Sequence, residues 1–258
     1  MVAMARDIVT TVNYYDDPGD GSLPMPIYVG SYEASRSPMN GPRSPYHTHT
    51  SAEKDFDDEE TIRKVYHPEC QGLLMTITGA TRIIPLGHQV RRGPANWHSI
   101  SENKTRSPGP LHCAHVDQSY DGTVIRIREQ FPDAEEQEGA TKRRWHIINV
   151  WRPMHPILTS PLALALADAT SVPDTDLVAT SIIHTKTGKR QESWAVEPNP
   201  GHKWYYKHRQ MPDEVALIKC FDSDDTVQAR RAAHCAVEDP GRKGMGNRES
   251  VEVRCLVF

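Results

Sequence analysis

Apolar residues past position 70 fall in short continuous or alternating runs: GLLMTITGA, TRIIPLG, GTVIRIREQF, RRWHIINVWRP, PLALALA, LVATSII, KWYYKHR, EVALIKCFDS and ESVEVRCLVF. Runs of this length, bounded by turn-forming residues, predict strands. Helical spacing is rarer. In SAEKDFDDEETIRKVY, Ser51 is placed to cap, the first turns are acidic, and Phe56, Ile62, Val65 and Tyr66 recur on one face. A second helix is predicted over DDTVQARRAA and a short one at DTDLVA after Pro173. Residues 16–50 hold many of the 20 prolines and 16 glycines, so residues 1–55 are expected to form an irregular N-terminal wrap.

Many strands after one early helix predict a mainly β fold with flanking helices, jelly-roll or cupin-like, with room for a small-molecule site inside. No repeat, low-complexity tract or clear linker divides the 258 residues, and one domain is expected. The formal charge is −4 and the 30 basic residues are scattered, which offers nucleic acid no electrostatic track. The start, MVAMARDIVTTV, lacks the pattern of a signal peptide, and no run approaches the roughly 20 apolar residues of a membrane span. A cytoplasmic protein without a membrane partner is expected, its oligomeric state left open. The five cysteines are odd in number and widely spaced, without C-x-x-C, which argues against a disulfide framework or zinc ribbon.

Candidate chemistry concentrates in HCAHVDQSY, residues 112–120, where His112, Cys113, His115 and Asp117 are all possible metal ligands. On a helix His112 and His115 would align; on a strand His115 and Asp117 share a face. Pro110 before, Val116 within and Gly122 after favour a strand ending in a turn. His115 and Asp117 then supply two of the three ligands of a 2-His-1-carboxylate triad, which leaves positions on Fe(II) open to substrate and oxygen. Alone, H-x-D is a weak signal.

The C-terminal end adds His234 and, fourteen residues on, Arg248-Glu249-Ser250 leading into VEVRCLVF. H-x-D, then H, then R-x-S resembles the pattern of Fe(II)/2-oxoglutarate oxygenases. Arginine suits such a site because its planar fork grips a carboxylate bidentately and stays charged when buried. Alternation puts Ser250, Glu252 and Arg254 on the face opposite Val251, Val253, Cys255 and Val257. The same alternation fits an exposed edge strand with a charge ladder. Arg254 is a second candidate for the anchor, or for an acidic group of the substrate. Asn149 and Trp151 share a face with Ile147; they line the cavity, Asn149 as a hydrogen-bond donor, or else Trp151 is core and Arg152 a buried ion pair. Tyr120 and Tyr206 are candidates for the substrate wall, set against ordinary core packing.

The runs GPLHCAHVDQSYDG, HIINVWRPMHPILTSPLALAL, HKWYYKHRQMPDEVALIKCFDS, AHCAVEDP and NRESVEVRCLVF resemble the fungal hydroxylase/desaturase family of secondary metabolism, itself similar to the cephem methoxylation component and gibberellin desaturase. The resemblance extends from about Phe56 to Phe258. It implies a double-stranded β-helix that binds Fe(II) and 2-oxoglutarate and uses molecular oxygen to oxidise an unactivated C–H bond of a small intermediate, by hydroxylation, desaturation or oxidative cyclisation. His115, Asp117 and His234 would be the catalytic iron ligands, and Arg248 with Ser250 the co-substrate anchor. Two rivals stand beside it. One is a non-catalytic accessory subunit of a biosynthetic enzyme pair. The other is a zinc hydrolase or zinc site using His112, Cys113, His115 and Cys235, although no H-E-x-x-H or G-x-S-x-G supports hydrolysis.

Overall fold

Two β-sheets dominate a computed structural model that describes residues 8–16, 25–36, 45–97, 107–165, 172–183, 190–242 and 244–258. The strands are β1 (Ile8–Asp16), β2 (Met25–Arg36), β3 (Tyr46–Thr48), β4 (Ile83–Arg91), β5 (His115–Val116), β6 (His146–Pro153), β7 (Leu162–Ala165), β8 (Leu177–Ile183), β9 (Arg190–Val196), β10 (Trp204–Tyr206), β11 (Glu214–Asp222), β12 (His234–Ala236) and β13 (Ser250–Val257). One sheet runs β1-β2-β10-β7-β12-β5-β9-β8 and the other β3-β11-β6-β13-β4. Helical segments are α1 (Glu59–Thr61), a π-helical stretch (Ile62–Tyr66), α2 (His67–Thr78), α3 (Tyr120–Gln130) and α4 (Ala134–Thr141).

Period-two alternation sorts the smaller sheet into two faces. Ile148 and Val150 of β6 and Val251, Val253 and Cys255 of β13 pack against Phe56, Ile62, Tyr66, Cys70 and Leu74 on the long helical arm. Leu74 is fully buried there, and truncating such a side chain to Ala costs about 2–5 kcal/mol. On the opposite face Ile147, Trp151, Ile218 and Leu256 meet Leu162 and Leu164 of β7, so the inner faces of the two sheets share one core. The outer face of the larger sheet buries Tyr14, Val116, Ala163, Trp204, Tyr206 and Cys235.

Several elements depart from their sequence expectations. The early helix starts not at Ser51, whose hydroxyl accepts from the Glu53 amide, but at Asp58, whose carboxylate accepts from the Thr61 amide. It continues through GLLMTIT to Thr78, where Gly79 at φ 72° ends it in the left-handed conformation. A contiguous apolar run carries no period to separate helix from strand, and Met75 and Ile77 lie on the exposed side. GTVIRIREQF, expected as a strand, is α3. Its start is fixed by the Ser119 hydroxyl, which accepts from the Gly122 amide at 2.8 Å. DDTVQARRAA is not helical: Asp224 accepts from both the amide and hydroxyl of Thr226, closing a local turn that competes with helix, and Ala232 already pairs with Lys219. At DTDLVA only Asp174–Asp176 is helical, as a single 3-10 turn leading into β8. The N-terminal region, expected as an irregular wrap, contains the antiparallel pair β1 and β2, whose β-branched and aromatic residues outweigh the surrounding prolines; residues 1–7, 17–24 and 37–44 of the expected wrap lie outside the described residues. Among the described residues, no helix is long and apolar enough to cross a membrane.

Candidate metal centre

β5 and β12 pair antiparallel with His115 directly opposite His234, and their rings stand 4.4 Å apart. Asp117 follows two residues after His115 and turns back toward both. Its carboxylate oxygens lie 3.7 Å from His115 Nε2 and 3.6 Å from His234 Nε2. One ligand atom from each of the three residues falls within 4.8 Å of the others. His115 Nδ1 lies 2.7 Å from the Cys113 carbonyl, and His234 Nδ1 lies 3.2 Å from the Ala232 carbonyl. A carbonyl can only accept, so Nδ1 carries the proton in each ring and Nε2 presents its lone pair to the centre. Burial, with His234 alongside, pushes the His115 pKa down to about 4, and burial lowers that of His234 as well. Both imidazoles are therefore neutral near pH 7, the form a metal ligand requires.

Burial would raise the Asp117 pKa, but Arg254 and the two histidines hold it well below the ordinary range. Arg254 reaches Oδ2 at 3.1 Å, and Asn149 Nδ2 donates to the same oxygen. Arg254 Nε in turn donates to Asn149 Oδ1 at 3.2 Å. Asn149 and Arg254 thus restrain one carboxylate oxygen while the other faces His115. Arg254 also lies 3.9 Å from Glu252.

Arg248 is in a different situation. It is buried over the Trp151 ring, at 5.3 Å, and donates to the Ser160 carbonyl at 3.1 Å, while its Nε is buried with no hydrogen-bond partner among the described residues. Burial pushes its pKa down to about 9. Arg248 and the three clustered ligands line the same narrow cleft, together with Trp151, Arg91 and Glu252. Ser250, also buried, stands across from Arg91 on β4. The donor set of two imidazoles and one carboxylate fits a non-heme ferrous ion, and a buried guanidinium with an unused N–H fits the far carboxylate of 2-oxoglutarate.

Two candidates for the substrate wall fall elsewhere. Tyr206 pairs with Ala163 and packs on the outer face of the larger sheet, whereas Leu164, His234 and His115 mark the inner face; the alternation gives that face to Tyr205 instead. Tyr120 donates its hydroxyl to Asp174 at 2.9 Å and lies under the Arg230 guanidinium, lining a separate cleft with Pro173 and Val227. Trp151 does line the metal cleft. Of the zinc set, Cys235 is packed on the face of β12 opposite His234, and Cys113 contributes its carbonyl rather than its sulfur. Cys220, given no role from the sequence, lies with its sulfur 3.6 Å from Asp117 Oδ2; the alternation of EVALIKCFDS, which puts it on the face of Ile218, was the available signal.

A family model described as "Oxidoreductase/YMDC permease-like domain" matches residues 44–258. The chain is 31% identical to "Hydroxylase/desaturase efuI" of Hormonema carpetanum over 96% of its own length and 94% of that protein. It is 34% identical to "Alpha-ketoglutarate-dependent dioxygenase tstK" of Talaromyces stipitatus over 80% and 73% of the two chains. Among solved structures, the "iron and alpha-ketoglutarate-dependent endoperoxidase NvfI" superposes with a TM-score of 0.79 at 21% identity, covering 98% of this chain and 98% of the other, which establishes a shared fold. The chain belongs to the fungal hydroxylase/desaturase family of non-heme Fe(II)- and 2-oxoglutarate-dependent oxygenases.

Proposed function

We propose that the chain oxidises an unactivated C–H bond of a small biosynthetic intermediate, with His115, Asp117 and His234 holding Fe(II) and Arg248, assisted by Ser250, holding the distal carboxylate of 2-oxoglutarate. The observation that carries this is the pairing, in one cleft, of a three-ligand group with a buried guanidinium whose Nε has no partner among the described residues. The arrangement supports a double-stranded β-helix in which the metal ligands stand on one sheet and the anchor enters the other, and a single domain built around that core. Bound iron and 2-oxoglutarate would supply oxygen activation coupled to loss of carbon dioxide from the co-substrate. The protein's own residues bind and orient. Asn149 and Arg254 hold Asp117 Oδ2, leaving Oδ1 for the metal. The carbonyls of Cys113 and Ala232 fix both histidines with Nε2 inward. Trp151 supports the Arg248 guanidinium from below. Relatives named as dioxygenases favour catalysis over an accessory subunit or a zinc hydrolase.

The test is an anaerobic titration of the purified protein with Fe(II) and 2-oxoglutarate, following the weak visible charge-transfer absorbance of the chelate. The band is expected in the unaltered protein and absent in His115→Ala. A full-strength band in His115→Ala, or none in the unaltered protein, would overturn the assignment.

A further inference from the structure

Beside the metal cleft, across Asp117, lies a second cavity of about 370 Å³. Arg91, Asp117 and Glu252 belong to the walls of both spaces, so the two meet at the carboxylate of the metal group. Arg126 from α3, Gln191 from β9, Arg254 and the β4 residues from Leu86 to Gln89 complete the wall, and Leu86 is the only apolar side chain among the described residues that line it. An apolar skeleton filling this space would strand its donors without partners, at about 1–3 kcal/mol for each group left unpaired. The volume lies at the small end of ligand pockets, roughly 300–1,000 Å³.

Three guanidinium groups face two carboxylates here. Asp117 is committed to Arg254 and to the metal group, and Arg254 also approaches Glu252. Arg91 donates to the Gly109 carbonyl rather than to a carboxylate. Arg126 meets its partner, Glu129, on its own helix, one turn away from the cavity. The excess of guanidinium groups over carboxylates in this wall lies beside the Asp117 carboxylate of the metal group.

We infer that this cavity receives the substrate and that the substrate is a small organic acid, its carboxylate held by Arg126 and Arg91 and its other polar groups by Gln191 and Glu252. The inference rests on the proposed metal and co-substrate assignment. Charge complementarity then selects which intermediate binds, and the fixed carboxylate sets which carbon faces the metal.

The experiment uses the full-length protein loaded with Mn(II) and saturating 2-oxoglutarate without oxygen, with a Zn(II)-loaded sample as the diamagnetic reference. Cyclohexanecarboxylate and cyclohexanecarboxamide are the probes, and the readout is proton relaxation of the ring by the paramagnetic ion. The acid is expected to relax faster in the Mn(II) sample and the amide to show no difference. Arg126→Gln should weaken the acid about tenfold or more, the value of one charge-assisted contact. Gln191→Glu, which adds a negative charge to the wall without removing an arginine, should weaken it too. Retention of the Fe(II)/2-oxoglutarate absorbance band certifies that each variant has kept its metal site. Equal relaxation of acid and amide, no relaxation of either, or full acid binding in both variants overturns the inference. Loss of the band in the unaltered protein instead overturns the metal and co-substrate assignment.

Discussion

Replacing Arg248 by Met should move stability and co-substrate affinity in opposite directions. In the absence of ligand the guanidinium is buried with one carbonyl acceptor, a supporting indole and an Nε that bonds to nothing among the described residues. Burial lowers its pKa from 12.5 to about 9, which corresponds to a cost of up to about 5 kcal/mol for the charged side chain in the folded protein. The guanidinium remains protonated at neutral pH all the same, so the cost is borne as reduced stability. Met fills similar space without charge, at the loss of the Ser160 contact and the cation–π contact, together about 1–3 kcal/mol. A net gain of up to about 2–4 kcal/mol is left, or up to roughly 4–16 °C in Tm for a chain of this size. With 2-oxoglutarate present the sign reverses. Two charge-assisted hydrogen bonds contribute about 3–5 kcal/mol, so the dissociation constant should rise about 100-fold to several thousand-fold. Thermal melts of both proteins, with and without 2-oxoglutarate, read the two effects in one experiment. An Arg248→Met protein that melts several degrees below the parent without ligand, yet is stabilised equally by 2-oxoglutarate, would refute the reasoning.

Asn149→Ala removes the donor to Asp117 Oδ2 and the acceptor for Arg254, and should weaken metal binding about 10- to 100-fold with both histidines intact, as measured by competition against a chelator. Asp222 is wholly buried and accepts from Arg144 twice, at 2.9 and 2.6 Å, and from Lys219 at 2.8 Å. Burial would raise its pKa, but these hydrogen bonds outweigh burial and hold it far below the usual carboxylate range. Its stabilisation is therefore present above the unfolded value of about 3.9 and lost as pH falls below it; Asp222→Asn should cost about 2–3 kcal/mol in urea melts at pH 7 and 5, with the gap closing below about pH 4. A methyl group on Gly122 would sit 2.2 Å from the Glu192 carbonyl oxygen, whereas one on Gly139 in α4 meets nothing within 4 Å. Gly122→Ala should destabilise by about 1–3 kcal/mol and Gly139→Ala stabilise by up to about 1 kcal/mol, both read from denaturation midpoints.

The first half of the metal group was legible because its geometry is short-range, whereas His234 joins it only through the pairing of β12 with β5. Arg248 and Ser250 were singled out by the resemblance of H-x-D, H and R-x-S to the oxygenase pattern, while H-x-D on a strand needs only period two to bring His115 and Asp117 to one face. β6, β11 and β13 were legible for the same reason. GLLMTITGA and GTVIRIREQF were not, since an apolar run and an alternating run are each compatible with a helix once a cap or a close contact fixes it. The Ser119 cap and the approach of Gly122 to Glu192 decide α3, and the second of these is a contact across some 70 positions of chain. The division of labour between the two arginines was likewise hidden. Arg248 and Arg254 look equivalent along the strand, and only the pairing of β13 with β6, which sets Arg254 beside Asn149, shows that Arg254 is occupied with Asp117. Arg91 and Arg126 carried no local mark at all, because their cavity is assembled from β4, β9, α3 and β13.

The facing of His115 and His234 across one β-ladder has an evolutionary consequence. Their separation is set by backbone pairing, so it cannot be tuned gradually: a slip of one residue in either strand turns a histidine to the far side of the sheet and removes a ligand outright. Exchanging the side chains of Arg91, Arg126 or Gln191 alters no such register. Descendants of this scaffold can therefore change what they oxidise by many small steps, while the part that does the oxidising admits only survival or loss.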